Sequence, residues 1–516
     1  MRATVRLDGR GLEPSSVAAV ARGRLPVTIT PAGRERNAAA RAAVDAHLAA
    51  GAPLYGATTG VGPFVRRAVA GADHQLRLLR SHASGGGAAL APELVRAAMV
   101  VRANQLAAGG AGVDEELLDA LLAALNAGVT PVAHELGSLG TGDITVLAEI
   151  AVALLGEGEA TYRGRRLPAA AALSAAGLAP PALGARDGIA FMSSNAATVG
   201  HAALAAVDAR RALDGALSVA VLSFAAVDAD RDVLDARVHE ARALPGQVSV
   251  AARVREALGA RPAPRPHERA GRAVHDPFAF RVQPQVDGAA QDALGALERV
   301  LAVELNAAPE NALAVPGDDV ALSSGNFHVA GLALALDGLR AALAQSASLV
   351  AARCSALLDA AVTGLAPALA ERAIDSGAMI LEYPAHAAAA DVRWLAAPVT
   401  AQTAVVGAGL EAHASFAAHA ARRTQEAVGR HLDAVAVELV LATRALRLRG
   451  RPPAAEVAAA TFAVACEQLP SRMADRPLSA DVAAARALLA AAGLPAAGRQ
   501  AAAPTRVRAS TSLRSA

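Results

Sequence analysis

The chain has 516 residues, a formal net charge of +2, two cysteines and an aromatic content of only 2%. It contains no lysine, so all 49 basic residues are arginine. That excludes a pyridoxal phosphate Schiff base and a lysine nucleophile, both of which need the amine. The balanced charge argues against a broad nucleic-acid surface, and the scarcity of aromatics argues against base-stacking modules. Cys354 and Cys466 lie far apart with no CxxC pair, so neither a metal site nor a disulfide framework is expected.

Alanine inflates the hydrophobic fraction of 54%. It is the best helix former, and most of the chain reads as helix. Met1–Arg10 is broken by charges and lacks the apolar core of a signal peptide. Val5–Leu7 and Val27–Ile29 have the composition of short strands. Over 93–107, Leu94, Ala97, Ala98, Val101 and Gln105 recur near helical spacing, with Arg96 and Arg102 expected to turn elsewhere. Residues 114–127 read as an amphipathic helix ending near Gly128. Residues 143–156 and 195–221 are long and apolar most of the way round, as are 287–306 and 328–363, and such helices are expected to be buried on several sides. Ala160–Tyr162 and Arg166–Leu167 suit a short strand pair.

Residues 260–273 are rich in proline and arginine and are expected to form a mobile loop. The apolar run between Arg393 and Glu411 is interrupted by Pro398 and two glycines and is short for a membrane span. The expected fold class is therefore mainly α, a long central helix bundle with a loop-rich N-terminal region, in a soluble cytoplasmic protein. The expected division is a loop-rich domain over 1–210, a helix bundle over 211–494 and a disordered basic tail over 495–516.

Glycines cluster in loops, where function often sits, and four segments stand out. They are Leu54-Tyr55-Gly56-Ala57-Thr58-Thr59-Gly60-Val61-Gly62, Arg80-Ser81-His82-Ala83-Ser84-Gly85-Gly86-Gly87, Gly137-Ser138-Leu139-Gly140-Thr141-Gly142-Asp143, and Phe280-Arg281-Val282-Gln283-Pro284-Gln285-Val286 followed by Ser324-Gly325-Asn326-Phe327-His328. In this order and spacing they resemble the histidine and phenylalanine ammonia-lyase superfamily, over about residues 25–480.

The resemblance implies a fumarase/aspartase-like helical architecture and a homotetramer whose active sites each draw on three subunits. It also implies a methylidene-imidazolone electrophile, made when an Ala-Ser-Gly tripeptide cyclises and loses two waters. Tyr55 matches the catalytic base of that family and His82, preceded by Ser81, a mark of its histidine-type members. Arg281 matches the arginine that holds the substrate carboxylate, Phe327 (after Asn326) the phenylalanine near the prosthetic group, and Glu411 a glutamate of histidine-type members.

The departures fall around the electrophile. The family reads Gly-Ser-x-Gly-Ala-Ser-Gly-Asp, whereas this chain is one residue shorter and has no serine before Gly142. Either Thr141 replaces an Ala-Ser pair, or the tripeptide is Gly140-Thr141-Gly142. Ser193 stands where the family has an asparagine, with Asn195 two positions on. Phe278 replaces a second active-site tyrosine. The expectation is an enzyme with no cofactor and no methylidene-imidazolone. Tyr55 would move a proton with His82 or Glu411 as its partner, and Phe278 and Phe327 would form an apolar wall. The substrate would be a small molecule already activated by a carbonyl or thioester, presented on an acyl carrier protein or coenzyme A. The reaction would be elimination, addition with ring closure, or double-bond isomerisation. Two alternatives stand beside it: a histidine ammonia-lyase with a Thr-derived prosthetic group, and a non-catalytic scaffold. No nucleic-acid or membrane partner is expected.

Overall fold

The computed structural model describes residues 4–259 and 275–498. The Pro/Arg-rich segment 260–273 and the tail from residue 499 lie outside the described residues. The chain divides into two compact units. One comprises the described parts of Met1–Ala212, Asp292–Ser348 and Ala387–Leu432; the other comprises those of Leu213–Gln291, Leu349–His386 and Asp433–Ala516.

Helices dominate both. The eight that matter below are α1 (Ala72–His82), α2 (Pro92–Ala108), α3 (Ile144–Leu154), α4 (Asp187–Met192), α5 (Ala196–Val227), α6 (Gln283–Glu304), α7 (Ala330–Leu358) and α8 (Ala417–Leu448). Their ends follow local chemistry. Pro92 opens α2, where a missing N–H costs nothing, and Gly109 closes it in the left-handed region at φ 91°. The helix Glu115–Ala127 is capped by the Asp114 carboxylate, which accepts from Glu116 N, and stops at Gly128. The α7 helix is long and apolar enough to cross a membrane by composition, but most of it is buried within the protein.

Strands are few and short. Val5–Leu7 pairs in parallel with Val27–Ile29, Val5 opposite Val27. Glu159–Tyr162 pairs with Arg165–Pro168 across the turn at Arg163-Gly164, and Thr130–Pro131 adds a third strand.

In the first unit α2 is buried on every face, including the arginines expected to turn away. Arg102 is fully buried against Glu310, also fully buried, at 2.9 Å. Arg102 also donates to the carbonyls of Phe191 at 2.9 Å and Ala190 at 2.5 Å, at the end of α4. Arg96 donates to the carbonyls of Val20, Ala21 and Leu125. Both arginines therefore serve as internal staples for carbonyls that helix ends leave unpaired.

In the second unit Arg353 and Glu438 form another fully buried pair, joined by Ser223. Pro495 O accepts from Ser218 Oγ at 2.8 Å and Ala497 O from Arg253 Nε at 2.9 Å. Residues 495–498, which composition grouped with a disordered tail, are thus anchored.

Removing one partner of a buried pair strands the other charge. Glu310→Ala is expected to cost about 3–5 kcal/mol, read as a lower denaturant midpoint. A loss within the range of an ordinary surface substitution would show that Arg102 does not depend on Glu310.

Candidate active site

The first unit contains a cavity of about 420 Å³ whose walls include Tyr55, Phe64, His82, Thr141, Gly142, Ser193, Asn311, Phe327, Leu410 and Glu411. Its size suits a small organic ligand.

Tyr55 sits in a turn in which Leu54 N donates to Thr58 Oγ1 at 2.8 Å and Leu54 O accepts from the amides of Thr58 and Thr59. Gly56 has φ 71°, and a Cβ there would lie 2.7 Å from Ile189 Cγ1. Buried Gln75 on α1 locks this turn to α4: its amide donates to Gly56 O at 2.7 Å, and its carbonyl accepts from Ile189 N at 3.0 Å. The Tyr55 hydroxyl oxygen accepts from Gly62 N at 3.0 Å. Its proton is therefore free to point into the cavity.

His82 ends α1. Its Nδ1 lies 2.8 Å from Leu78 O, and a carbonyl only accepts, so Nδ1 carries the proton. Nε2 is then left with a lone pair.

Glu411 is presented by a tight turn. Val406 and Glu411 form an antiparallel bridge around Gly407–Gly409, where Ala408 takes φ 56°. The Glu411 carboxylate makes no hydrogen bond to any described residue.

Phe327 follows a segment held by Ser324, whose N donates to Asn311 Oδ1 at 3.1 Å and whose Oγ donates to Glu310 O at 3.1 Å. Ser193 Oγ accepts from Asn311 N at 3.2 Å. The Arg102–Glu310 pair, through Asn311, thus supports two walls of the cavity.

The loop Gly137–Asp143 forms a further wall. Asp143 is fully buried and accepts from Ser138 Oγ at 2.6 Å, Thr198 Oγ1 at 2.7 Å and Thr198 N at 2.6 Å. It therefore caps the N-terminus of α5 from a distant part of the chain. Burial pushes its carboxyl up from the ordinary range, against these donors, which pull it down.

Gly140 has φ 82°, and its carbonyl accepts from Ser415 Oγ at 3.1 Å. A Cβ at residue 140 would lie 2.0 Å from that same Oγ. The residues present do not fit the tripeptide that makes a methylidene-imidazolone. An alanine at 140 would displace Ser415 Oγ and take a strained left-handed backbone, no serine precedes Gly142, and Thr141 is the one side chain between two glycines of positive φ.

The structure thus brings together Tyr55, His82, Thr141, Gly142, Ser193, Phe327 and Glu411, from six separate stretches of chain. Gly140 is buried behind them. Asn326 is exposed and Asn311 lines the cavity instead. Asn195 is 1% exposed and not among the lining residues, and neither of its amide atoms has a partner among the described residues.

Phe278 and Arg281 lie in the second unit, in the short helix Phe278–Arg281, and neither lines the cavity. Phe278 is 68% exposed, with the Arg281 guanidinium 5.3 Å from its ring centre. Gln75 and Asn311 escaped sequence reading because each acts on the backbone of a remote segment. Phe64 and Leu410 had only their nearness to Gly62 and Glu411 as a signal. Among the described residues, no group of three or more metal-ligating side chains is present.

The sequence profile of a family described as aromatic amino acid lyase matches residues 12–468. A histidine ammonia-lyase of Geobacillus thermodenitrificans is 36% identical over 476 residues, 91% of this chain and 94% of that protein. Among solved structures, the ergothioneine-degrading enzyme ergothionase of Treponema denticola, in complex with desmethyl-ergothioneine sulfonic acid, superposes with a TM-score of 0.89. It is 26% identical and covers 95% of this chain and 99% of its own. A tyrosine aminomutase of Streptomyces globisporus also gives 0.89 at 26% identity, with 95% and 97% covered.

Gly140→Ala combines a left-handed backbone with a side-chain collision. It is expected to destabilise the protein by about 1–3 kcal/mol, measured by thermal or denaturant unfolding. An unchanged midpoint would show that the loop has room for the family's alanine.

Proposed function

Because the chain belongs to the aromatic amino acid lyase family, we propose that it is a lyase that uses Tyr55 as its base, has no methylidene-imidazolone, and acts on a substrate that brings its own activation. The observation that supports this most is the pairing of three candidate acid–base groups, Tyr55, His82 and Glu411, with a loop that lacks the serine from which the family's electrophile is made. In an unactivated amino acid the β-proton is hardly acidic and the amine leaves poorly. An oriented tyrosine contributes proton transfer but does not remove those two obstacles.

Two kinds of substrate do. In the first, a carbonyl or thioester acidifies the proton, and the amides of Thr141 and Gly142 stabilise the enolate oxygen. In the second, the nitrogen is already quaternary. It then has no lone pair with which to add to an electrophile, and it departs as a neutral tertiary amine.

The second is favoured by His82 and Glu411, which suit an imidazole ring, and by the likeness to the ergothioneine-degrading enzyme. Tyr55 takes the proton from Cβ. The C–H electron pair becomes the Cα=Cβ double bond, and the Cα–N bond breaks with its electrons leaving on the amine. His82 Nε2 accepts a hydrogen bond from the ring, and Glu411 balances charge on it. Phe64, Phe327 and Leu410 exclude water.

The resemblance implies sites shared among subunits. On that basis Arg281 is assigned to the substrate carboxylate in the cavity of a neighbouring subunit of a homotetramer, where its planar fork suits bidentate binding.

The intact mass is expected to equal that of the unmodified chain, and a mass lower by two waters would overturn the reading. Trimethylammonium betaines of imidazole amino acids are expected to release trimethylamine while the free amino acids release no ammonia. Tyr55→Phe should lower kcat by about 10²–10⁴-fold. Unchanged turnover in that variant would remove Tyr55 from the mechanism. A mixture of Tyr55→Phe and Arg281→Met subunits, refolded together, is expected to recover activity that neither has alone. Failure to recover any would place both residues in the same subunit's site.

A further inference from the structure

Two histidines that the proposed chemistry does not use face each other beside the cavity. His328 directly follows Phe327, and His413 lies two residues after Glu411, so each is tied to a cavity-lining side chain by a short stretch of backbone. His328 Nε2 is 3.0 Å from His413 Nδ1, with the ring centres 5.0 Å apart and the planes tilted by 45°.

Neither segment is part of a long helix at this point. Residues 405–415 are held by the Val406–Glu411 bridge, by Ala414 N donating to Thr403 Oγ1 at 2.9 Å and, at their end, by Ser415 Oγ donating to Gly140 O at 3.1 Å, and Phe416 beyond them takes φ 52°. Residues 324–328 hang from Ser324 and a turn in which His328 N donates to Gly325 O at 2.9 Å. The ring-to-ring hydrogen bond is therefore a tie between two lightly held segments, each carrying one cavity wall.

A bond between two ring nitrogens needs one N–H and one lone pair. A neutral pair meets that condition, and so does a pair holding one extra proton on an outer nitrogen. With both rings charged, two N–H groups oppose each other and the tie becomes a repulsion.

We infer that His328 and His413 form a shared-proton clamp that positions Phe327 and Glu411 on the cavity wall, and that double protonation releases the 405–415 segment. This goes beyond the reading of the reaction and does not depend on the substrate.

The surroundings support it. Burial first, and then the charge of His413, hold His328 below its ordinary value of 6.5, and the backbone of residues 328 and 413 opposes the shift. Among the described residues no carboxylate or guanidinium acts on His328. Glu411, the nearest acid in sequence, makes no hydrogen bond to either ring. A histidine held low contributes stability that is present above its ordinary value and lost as the pH falls through the folded-state value. The clamp is thus closed near neutrality and opens on the acid side.

Hydrogen–deuterium exchange on the purified full chain tests this, with rates corrected for the intrinsic effect of pH. Between about pH 7.5 and about pH 5.5, uptake in peptides covering 405–415 and 324–329 is expected to rise roughly 5- to 10-fold. In His328→Gln the amide can donate to neutral His413 or accept from its charged form, so both segments should stay protected at both pH values. His413→Gln should behave alike and serves as the second variant if the first unfolds. A flat wild-type response would overturn the clamp, and so would an acid-induced rise that survives unchanged in both variants. Failure of the elimination chemistry would leave this exchange pattern as it is.

Discussion

The buried guanidinium of Arg102 is the point on which the first unit turns. A charge taken out of water is tolerated only if its donors are satisfied and its charge is matched. Arg102 meets both conditions by joining three distant parts of the chain: its own helix, the carbonyl end of α4, and Glu310. That arrangement places Glu310 and Asn311 at the heart of the unit. Ser193 and the Ser324 segment then hang from them. Two of the cavity walls thus hang from one ion pair that does not itself line the cavity.

Asp143 plays the complementary part. Its carboxylate ends the Gly137–Asp143 loop and caps α5, so the loop and the long helix are fixed together. The one-residue shortening of that loop leaves this anchor intact. Ser138 still reaches Asp143, and Ser415 still reaches Gly140 O. Between these two anchors Thr141 and Gly142 line the cavity. A loop anchored at both ends in this way is compatible with a cavity that binds a small molecule without the family's tripeptide.

Of the residues that keep the family's pattern, Tyr55 and His82 rest on supports separate from that loop, while the segment carrying Glu411 meets it where Ser415 bonds to Gly140 O. The tyrosine turn is locked by Gln75, the histidine by its own helix, and the glutamate by a strained turn. Because the supports of Tyr55 and His82 do not pass through the loop, a change there need not disturb these two side chains. That independence is the physical basis for reading the site as redirected rather than lost.

Much of the fold was legible from composition and periodicity alone. The strands Val5–Leu7 and Val27–Ile29 fall where β-branched residues stand in an otherwise alanine-rich chain. The helices ending at Gly109 and Gly128 stop where local backbone preference stops them. The motif residues Tyr55, Thr141, Phe327 and Glu411 were legible as motifs because each is a side chain set in a turn whose glycines are written into the sequence, and His82 because it ends a helix just before such a run.

What the sequence did not carry was every relation between remote segments. Arg102 was expected to face away from the core because its partner lies 208 positions on. Gln75 and Asn311 gave no signal, since they grip backbones that any sequence possesses. Phe278 and Arg281 carry the right motif but belong to the other unit and do not line this cavity. By itself the sequence determined which elements form, because helix and turn preferences act over a few residues. Only the tertiary structure decided which charges are buried, which loops meet and which of the motif residues share one cavity, because those depend on satisfying buried polar groups across hundreds of residues.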